Sequence, residues 1–157
     1  MLRIGFSEDI HQKAKGRKLV LAGIEFPRET GLLGHSDADV VTHAVSESIL
    51  GALALGDLGT YFPDNDPKYK DICSLELLDQ VVAMMKKRGF KISNIDIQVA
   101  CSAPKLSNHI DDMRMSLAKH LLTSVDNVSV KACSYNKVGP IGNGEAIKAS
   151  AYVMLEK

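Results

Sequence analysis

The sequence predicts an α+β fold, a mixed β-sheet with helices packed on one face. Three observations carry this reading. Segments of period-two alternation recur along the chain, segments with apolar residues at three- and four-residue spacing stand between them, and 157 residues fit one domain spanning 1–157, since domains commonly hold roughly 100–200 residues. Hydrophobic residues make up 45% and charged residues 24% of the chain, which excludes a disordered chain, a collagen-like repeat and a disulfide miniprotein.

The opening Leu2-Arg3-Ile4-Gly5-Phe6 alternates as a strand. Lys18 to Ile24 reads as a second strand after a Lys-rich, Gly-containing turn, and Gly31 to Gly34 as a loop. Asp37 or Asp39 caps a helix through Val40, Ala44, Ile49 and Leu53, with Gly56 near its end. Tyr61 to Lys70 is the most loop-like stretch, because Pro63 and Pro67 forbid a regular helix or central strand. From Ser74 a second helix presents Leu75, Leu78, Val82 and Met85, closing with Lys86-Lys87-Arg88 before Gly89. Ile95 to Val99 alternates as a strand that Pro104 terminates. Ser107 or Asn108 caps a third helix with face Ile110, Met113, Leu117 and Leu121. Val128 to Ala132 is again a strand, Tyr135 to Gly144 a glycine-rich loop, and Ala146 to Leu155 the terminal strand.

Alternating strands have two faces, and the second is read as carrying Ser129, Lys131, Ala149 and Ala151. With helices on one face only, the other meets water or further subunits. Alternation alone does not choose between them.

Lys plus Arg (19) balances Asp plus Glu (19), which argues against nucleic acid or an anionic membrane as partner, since both demand a basic excess. Cys73, Cys101 and Cys133 stand singly, with neither a disulfide framework nor a CxxC knuckle. The N-terminus lacks the apolar run of a secretory signal. The most apolar window, Ile49 to Leu58, is about half the length a bilayer span needs. A cytoplasmic protein is expected, or a plastid-type location if the source is eukaryotic and a transit peptide has been removed.

Several constellations carry candidate chemistry. Asp9-Ile10-His11 projects a carboxylate and an imidazole to one side at the end of a strand, which is a workable edge for a divalent metal but taken alone reads rather as a solvated strand-end pair. Gly34 to His43 packs His35, His43, Asp37, Asp39 and Ser36 around a helix start, with Asp39 and His43 four apart on one face. His43 would complete an Asp-His-His set that leaves a fourth tetrahedral position open; it also suits a half-buried helix position. Asp57-Leu58-Gly59 and Phe62-Pro63-Asp64-Asn65-Asp66 offer carboxylates to polyol hydroxyls, or cap turns. Cys101-Ser102-Ala103-Pro104-Lys105-Leu106 offers backbone groups to a base edge, or is a plain strand exit. Cys133-Ser134-Tyr135-Asn136-Lys137, before Gly139, Gly142 and Gly144, suits phosphate oxygens without being a Walker or GxGxxG loop.

Taken in order, Asp9-Ile10-His11, Gly31 to Val40 with His43, Gly56 to Gly59, Phe62 to Pro67, Ala103-Pro104-Lys105 and Val130-Lys131-Ala132 resemble the 2-C-methyl-D-erythritol 2,4-cyclodiphosphate synthase family of the non-mevalonate isoprenoid pathway, over essentially the whole chain. The resemblance implies a homotrimer with active sites between subunits and the free sheet face about a threefold axis. It implies zinc on Asp9, His11 and His43. His35 and Ser36 would hold the diphosphate and stabilise its transition state, and Ser134 would steady the phosphate, with His35 and Ser134 as the catalytic residues. Asp57, Leu58 and Gly59 would meet the ribose, and Phe62, Pro63, Asp64, Asn65 and Asp66 the methylerythritol, beside Asp9, Ile10 and His11. Cys101 to Ser107, including Lys105, would wrap the cytosine, and Cys133, Ser134, Tyr135 and Asn136 the phosphates. The implied substrate is 4-diphosphocytidyl-2-C-methyl-D-erythritol 2-phosphate, with CMP released.

The chain departs from that family where Asn136 replaces the glutamate that holds a second divalent ion between the phosphates. Magnesium or manganese is expected to bind there more weakly, because hard cations favour charged oxygens. Glu8 and Pro140 replace usual aromatics, Asn143 a frequent arginine and Ser150 a frequent acid. Losing that arginine argues against an isoprenoid diphosphate in the central cavity. The alternatives are a divergent homologue that binds zinc and cytidine nucleotide with little turnover, and a structural trimer without ligand.

Overall fold

The computed structural model describes residues 1–157. Along the chain come β1 (Leu2–Ala14), β2 (Leu19–Leu21), β3 (Ile24–Phe26), β4 (Gly31–Leu32), α1 (Val40–Ala52), α2 (Leu58–Tyr61), α3 (Ser74–Lys87), β5 (Lys91–Ala100), α4 (Ile110–Leu121), β6 (Val128–Cys133), α5 (Gly139–Gly142) and β7 (Ala146–Glu156). Five strands form one sheet in the order β4-β1-β7-β5-β6, and β2 pairs with β3 separately. Only β5 and β6 run parallel, joined across α4. The sheet is therefore mixed, as the order of elements implies.

Strand β1 outruns its alternating start because its far half pairs on both sides, with β7 through Gln12↔Ala146 and with β4 through Lys13↔Leu32. Asp9 and His11 consequently lie inside a strand rather than at its end. Lys18 to Ile24 is not one strand: Ala22 and Gly23 turn at φ 53° and 77° and make β2 and β3 a hairpin. Gly31 to Gly34 is not wholly loop, since Gly31 and Leu32 pair with β1. Gly31 is needed there, because a Cβ would stand 2.4 Å from two backbone carbonyl oxygens, those of Arg17 and Lys18.

Helix α1 begins at Asp39, whose carboxylate accepts the Thr42 N–H. It lies close against β1 and β7 because the facing positions are small: Gly5, Ala149 and Ala151. Its buried hydroxyls satisfy themselves, Ser46 donating to Thr42 O at 2.8 Å and Ser48 to Val45 O at 2.7 Å. Helices α1, α3 and α4 pack on this same face, over a continuous core that includes Ile49, Leu78, Ile97, Leu117 and Val153.

Ala149 and Ala151 thus belong to the core face, which corrects their assignment to the free one. The phase of β7 is set by pairing with β1 and β5, and it turns Lys148, Ser150 and Tyr152 outward beside Phe6, Glu8, Asp96 and Lys131. Ile4, 72% exposed, Phe6 and Ile10 add a bare apolar row. Phe6 and Tyr152 stack at 4.6 Å between ring centroids. Lys148 pairs with Glu8 at 2.8 Å and Lys131 with Asp96 at 2.6 Å.

Three smaller differences are local. Neither Ser107 nor Asn108 caps α4. The chain turns through His109 N–H to Leu106 O at 2.8 Å, and the His109 ring packs edge-on against Phe26. Tyr61 to Lys70 contains the end of α2 and a single 3₁₀ turn at Pro67–Tyr69. The glycine-rich segment holds another such turn, Tyr135–Lys137, and the short α5.

Candidate metal centre and active site

The inward side of β1 carries Gly5, Ser7, Asp9 and His11 in succession, because alternate side chains share a face. Where α1 starts over that face, His43 in its first turn meets them. Asp9 Oδ2 lies 2.9 Å from His11 Nε2 and 3.2 Å from His43 Nδ1, and one donor atom from each residue falls within 4.8 Å of the others. His11 Nδ1 donates to Leu33 O at 2.6 Å, which leaves Nε2 as the nitrogen directed at Asp9 and the one a metal would take. Gly34 permits this approach; a Cβ there would sit 3.2 Å from His11 Cε1.

Burial works against charge on Asp9, yet hydrogen bonds from His11 and His43 outweigh it and hold the carboxyl well below its usual range. Burial likewise opposes protonation of His11, but its bond to Asp9 raises the ring above its ordinary value. Asp39 is not part of the Asp9, His11 and His43 cluster. Its carboxylate is fully buried and accepts from Ala22, Gly23 and Thr42.

A cavity of about 250 Å³ opens from this cluster. It gathers Asp9, His11, His35, Ser36 and His43 with Leu58, Gly59, Phe62 and Asp64. His35 Nε2 is anchored on Asp66 O at 3.1 Å, and Ser36 Oγ lies 3.1 Å from His43 Nε2. Asp57 does not line the cavity; its Oδ1 caps α2 through the Thr60 amide and hydroxyl, and those bonds lower its carboxyl. Asp66 Oδ1 accepts the Lys68 N–H and Asn65 is exposed. Pro63 and Ile10 do not line the cavity, and Ile10 points to the free face.

Two predicted segments lie elsewhere within the chain. Cys101 to Ser107 leaves β5 beside the far end of β1, with Lys13 Nζ on Ala103 O at 3.1 Å. Leu106 is core and Cys101 is buried, its thiol pushed up to about 11 by burial. It is therefore a neutral thiol rather than a nucleophile. Ser102 adjoins Gly144. At the end of β6, Ser134 (φ −95°, ψ −14°) precedes Tyr135, Asn136 and Lys137 at φ 56°, 49° and 64°. A right-handed residue followed by a left-handed one turns successive N–H groups into a concave anion cradle. Ser134 Oγ accepts the Asn136 N–H at 3.3 Å, and Lys148 lies over the Tyr135 ring.

The cavity also includes Gly34, from the Gly34 to His43 constellation, and Glu47, Tyr69 and Leu77, which the sequence reading omits. Glu47 follows His43 by one helical turn, so its face was legible; it accepts from Ser7 Oγ at 2.9 Å and from the Leu58 N–H at 3.3 Å. Tyr69 reaches the cavity by packing edge-on against Phe62. Leu77 carries no signal beyond the core periodicity of α3.

The YgbB family model matches residues 2–156. The 2-C-methyl-D-erythritol 2,4-cyclodiphosphate synthase of Brachyspira hyodysenteriae is 52% identical over 156 residues, covering 99% of each chain. That of Desulfitobacterium hafniense is 50% identical over 157 residues, covering 100% of this chain and 99% of its own. Among solved structures, IspF from Plasmodium falciparum in its CDP complex superposes with a TM-score of 0.86 at 32% identity, covering 98% of this chain and 95% of that one.

Proposed function

The chain belongs to the YgbB family, and from that premise we propose that it is a cyclising lyase that converts 4-diphosphocytidyl-2-C-methyl-D-erythritol 2-phosphate into 2-C-methyl-D-erythritol 2,4-cyclodiphosphate and CMP. The observation that carries this reading is the convergence of Asp9, His11 and His43 at one end of a cavity, in a chain aligned end to end with synthases of that name. An oxygen of the 2-phosphate attacks the β-phosphorus, the bond from that phosphorus to the α-phosphate oxygen breaks, and CMP departs with the electron pair. Nucleophile and electrophile share one molecule, so the protein chiefly folds the substrate in line and offsets charge.

Asp9, His11 and His43 are the residues to hold zinc, which when bound supplies Lewis-acid polarisation of the β-phosphoryl group. The His35 ring, anchored by donating Nε2–H to Asp66 O, borders the diphosphate, to which Nδ1 can donate only when the ring is doubly protonated. Ser36 accepts the Ala38 N–H and donates its hydroxyl to a phosphate oxygen. Asp57, Leu58 and Gly59 meet the ribose, and Phe62 to Asp66 the methylerythritol. Cys101 to Ser107 reads cytosine through backbone groups, while Ser134, with Cys133 and Tyr135, steadies the phosphates at the transition state.

Within one chain the cytosine and phosphate segments lie outside the metal-bearing cavity. A homotrimer, its free sheet faces meeting about a threefold axis, supplies them from a neighbour. The bare row of Ile4, Phe6, Ile10 and Tyr152 supports this arrangement. No helix is long and apolar enough to cross a membrane, in keeping with a cytoplasmic enzyme.

The decisive measurement is cyclic diphosphate formation from the synthetic substrate, with zinc, magnesium and manganese varied. Stoichiometric cyclic product and CMP are expected; CMP release without cyclic product would overturn the reading. Asn136 leaves the second cation, magnesium or manganese, with an uncharged carbonyl. Asn136→Glu is expected to lower the manganese concentration needed for half-maximal rate. It will also cost about 1–2 kcal/mol of stability, because a left-handed backbone suits Asn better than Glu. A manganese titration unchanged by the substitution would remove position 136 from that site.

A further inference from the structure

Hydroxyls alone do not decide which nitrogen of an imidazole carries the proton, since a hydroxyl both donates and accepts. His43 meets two of them through Nε2: Ser74 Oγ at 2.9 Å and Ser36 Oγ at 3.1 Å. What removes the ambiguity is one residue further away. Ser74 opens α3 and is fully buried, and its hydroxyl donates to Asp37 Oδ1. Asp37 is itself pinned by two backbone amides, that of Asp39 on Oδ1 at 3.1 Å and that of Ser74 on Oδ2 at 3.0 Å. The Ser74 hydrogen is thereby committed to the carboxylate, so Ser74 Oγ offers His43 Nε2 a lone pair, while on the opposite side of the ring Nδ1 faces Asp9 Oδ2 at 3.2 Å.

We infer that Asp37 and Ser74 are positioning residues that give the His43 Nε2–H its acceptor when Nδ1 is turned to the metal. This rests on the reading of Asp9, His11 and His43 as the metal ligands. His11 obtains the complementary arrangement from a backbone carbonyl, Leu33 O, which only accepts. His43 sits in a helix and meets no such carbonyl through its distal nitrogen, so it obtains an obligate acceptor by way of a serine whose proton is already taken. Outer partners of this kind commonly contribute about 10–100-fold to metal affinity.

The test uses the full-length protein carrying nitrogen-labelled histidine, with the His43 ring assigned by its loss in His43→Ala. Nitrogen NMR of the zinc-loaded ring reads the Nε2 proton and its exchange with water, and chelator competition reads zinc affinity. In wild type the Nε2 proton is expected to be resolved and slow to exchange. Asp37→Asn can offer an amide N–H to Ser74, which frees the serine hydrogen and turns it against the His43 Nε2–H, so that proton should exchange faster. Zinc affinity is expected to fall about 10–100-fold, and Ser74→Ala should weaken zinc to a similar degree. Ser74→Thr keeps the hydroxyl and should retain the wild-type Nε2–H signal and zinc affinity. If Ser74→Ala does not fold, Asp37→Asn and Ser74→Thr decide on the same readouts. A folded Asp37→Asn protein with wild-type Nε2–H exchange and zinc affinity would overturn the inference. A wild-type protein that binds no zinc would overturn the ligand reading, and the inference with it.

Discussion

His43→Ala is expected to strip zinc from the purified protein and to lower cyclic diphosphate formation by about a thousandfold, the equivalent of about 4 kcal/mol of transition-state stabilisation. The magnitude follows from the donor set. Only three side chains converge, and losing one leaves Asp9 and His11 as a two-ligand edge. The fold should survive, because His43 lies in the first turn of α1 at the cavity and Ala is a strong helix former. Metal analysis, circular dichroism and the product assay on one preparation separate these effects. Zinc retained at wild-type stoichiometry would exclude His43 as a ligand.

Gly5→Ala should be the most damaging single-methyl change in the sheet. A Cβ at this position would stand 1.8 Å from the Ser48 carbonyl oxygen, 2.7 Å from Ala52 N and 2.9 Å from Ala52 Cβ. All of these belong to α1 or its turn, so a side-chain rotation cannot relieve the clash; the helix must lift from β1. Overpacking of this sort costs about 3 kcal/mol, which for a chain of this size lowers Tm by about 6–12 °C. The same lift would draw His43 away from Asp9, so zinc affinity should fall alongside stability. A thermal melt within a degree or two of wild type would show that α1 is less tightly seated than its contacts imply. Gly51→Ala, whose added Cβ would meet only Phe6 O at 3.9 Å, is the control and should hold or slightly raise the melt, since Ala is the better helix former.

Much of the fold was legible because it is written locally. Leu78, Val82 and Met85 mark the buried stripe of α3, and Met113, Leu117 and Leu121 that of α4, by spacing alone. The mixed sheet followed from the order of alternating and helical segments. The failures share a cause. Ala149 and Ala151 look like surface residues because small side chains carry little hydrophobic signal, yet they are buried since only small side chains admit α1 so close. The hairpin at Ala22-Gly23 escaped notice because alanine is a poor marker of positive φ; Asp39, distant in sequence, accepts both turn amides.

The site divides along the same line. Residue types and spacing marked Asp9 and His11 as a possible two-ligand edge, since a strand places i and i+2 together, and His43 as a possible third donor; it was the family resemblance that joined the three as one set. Residue types also marked Leu58, Gly59, Phe62 and Asp64, which share the cavity. Only the tertiary structure decided that Asp39 caps a helix and stays out of the cluster, that Glu47 joins the cavity, and that Ser74 and Asp37 stand behind His43. It also placed the Cys101 and Ser134 segments outside that cavity within a single chain. The physical reason is range. Periodicity and ligand spacing act over a few residues and survive in the unfolded chain's sequence, whereas the partner a polar side chain meets is chosen by how α1 and α3 seat on the sheet, a property of packing that no local pattern encodes.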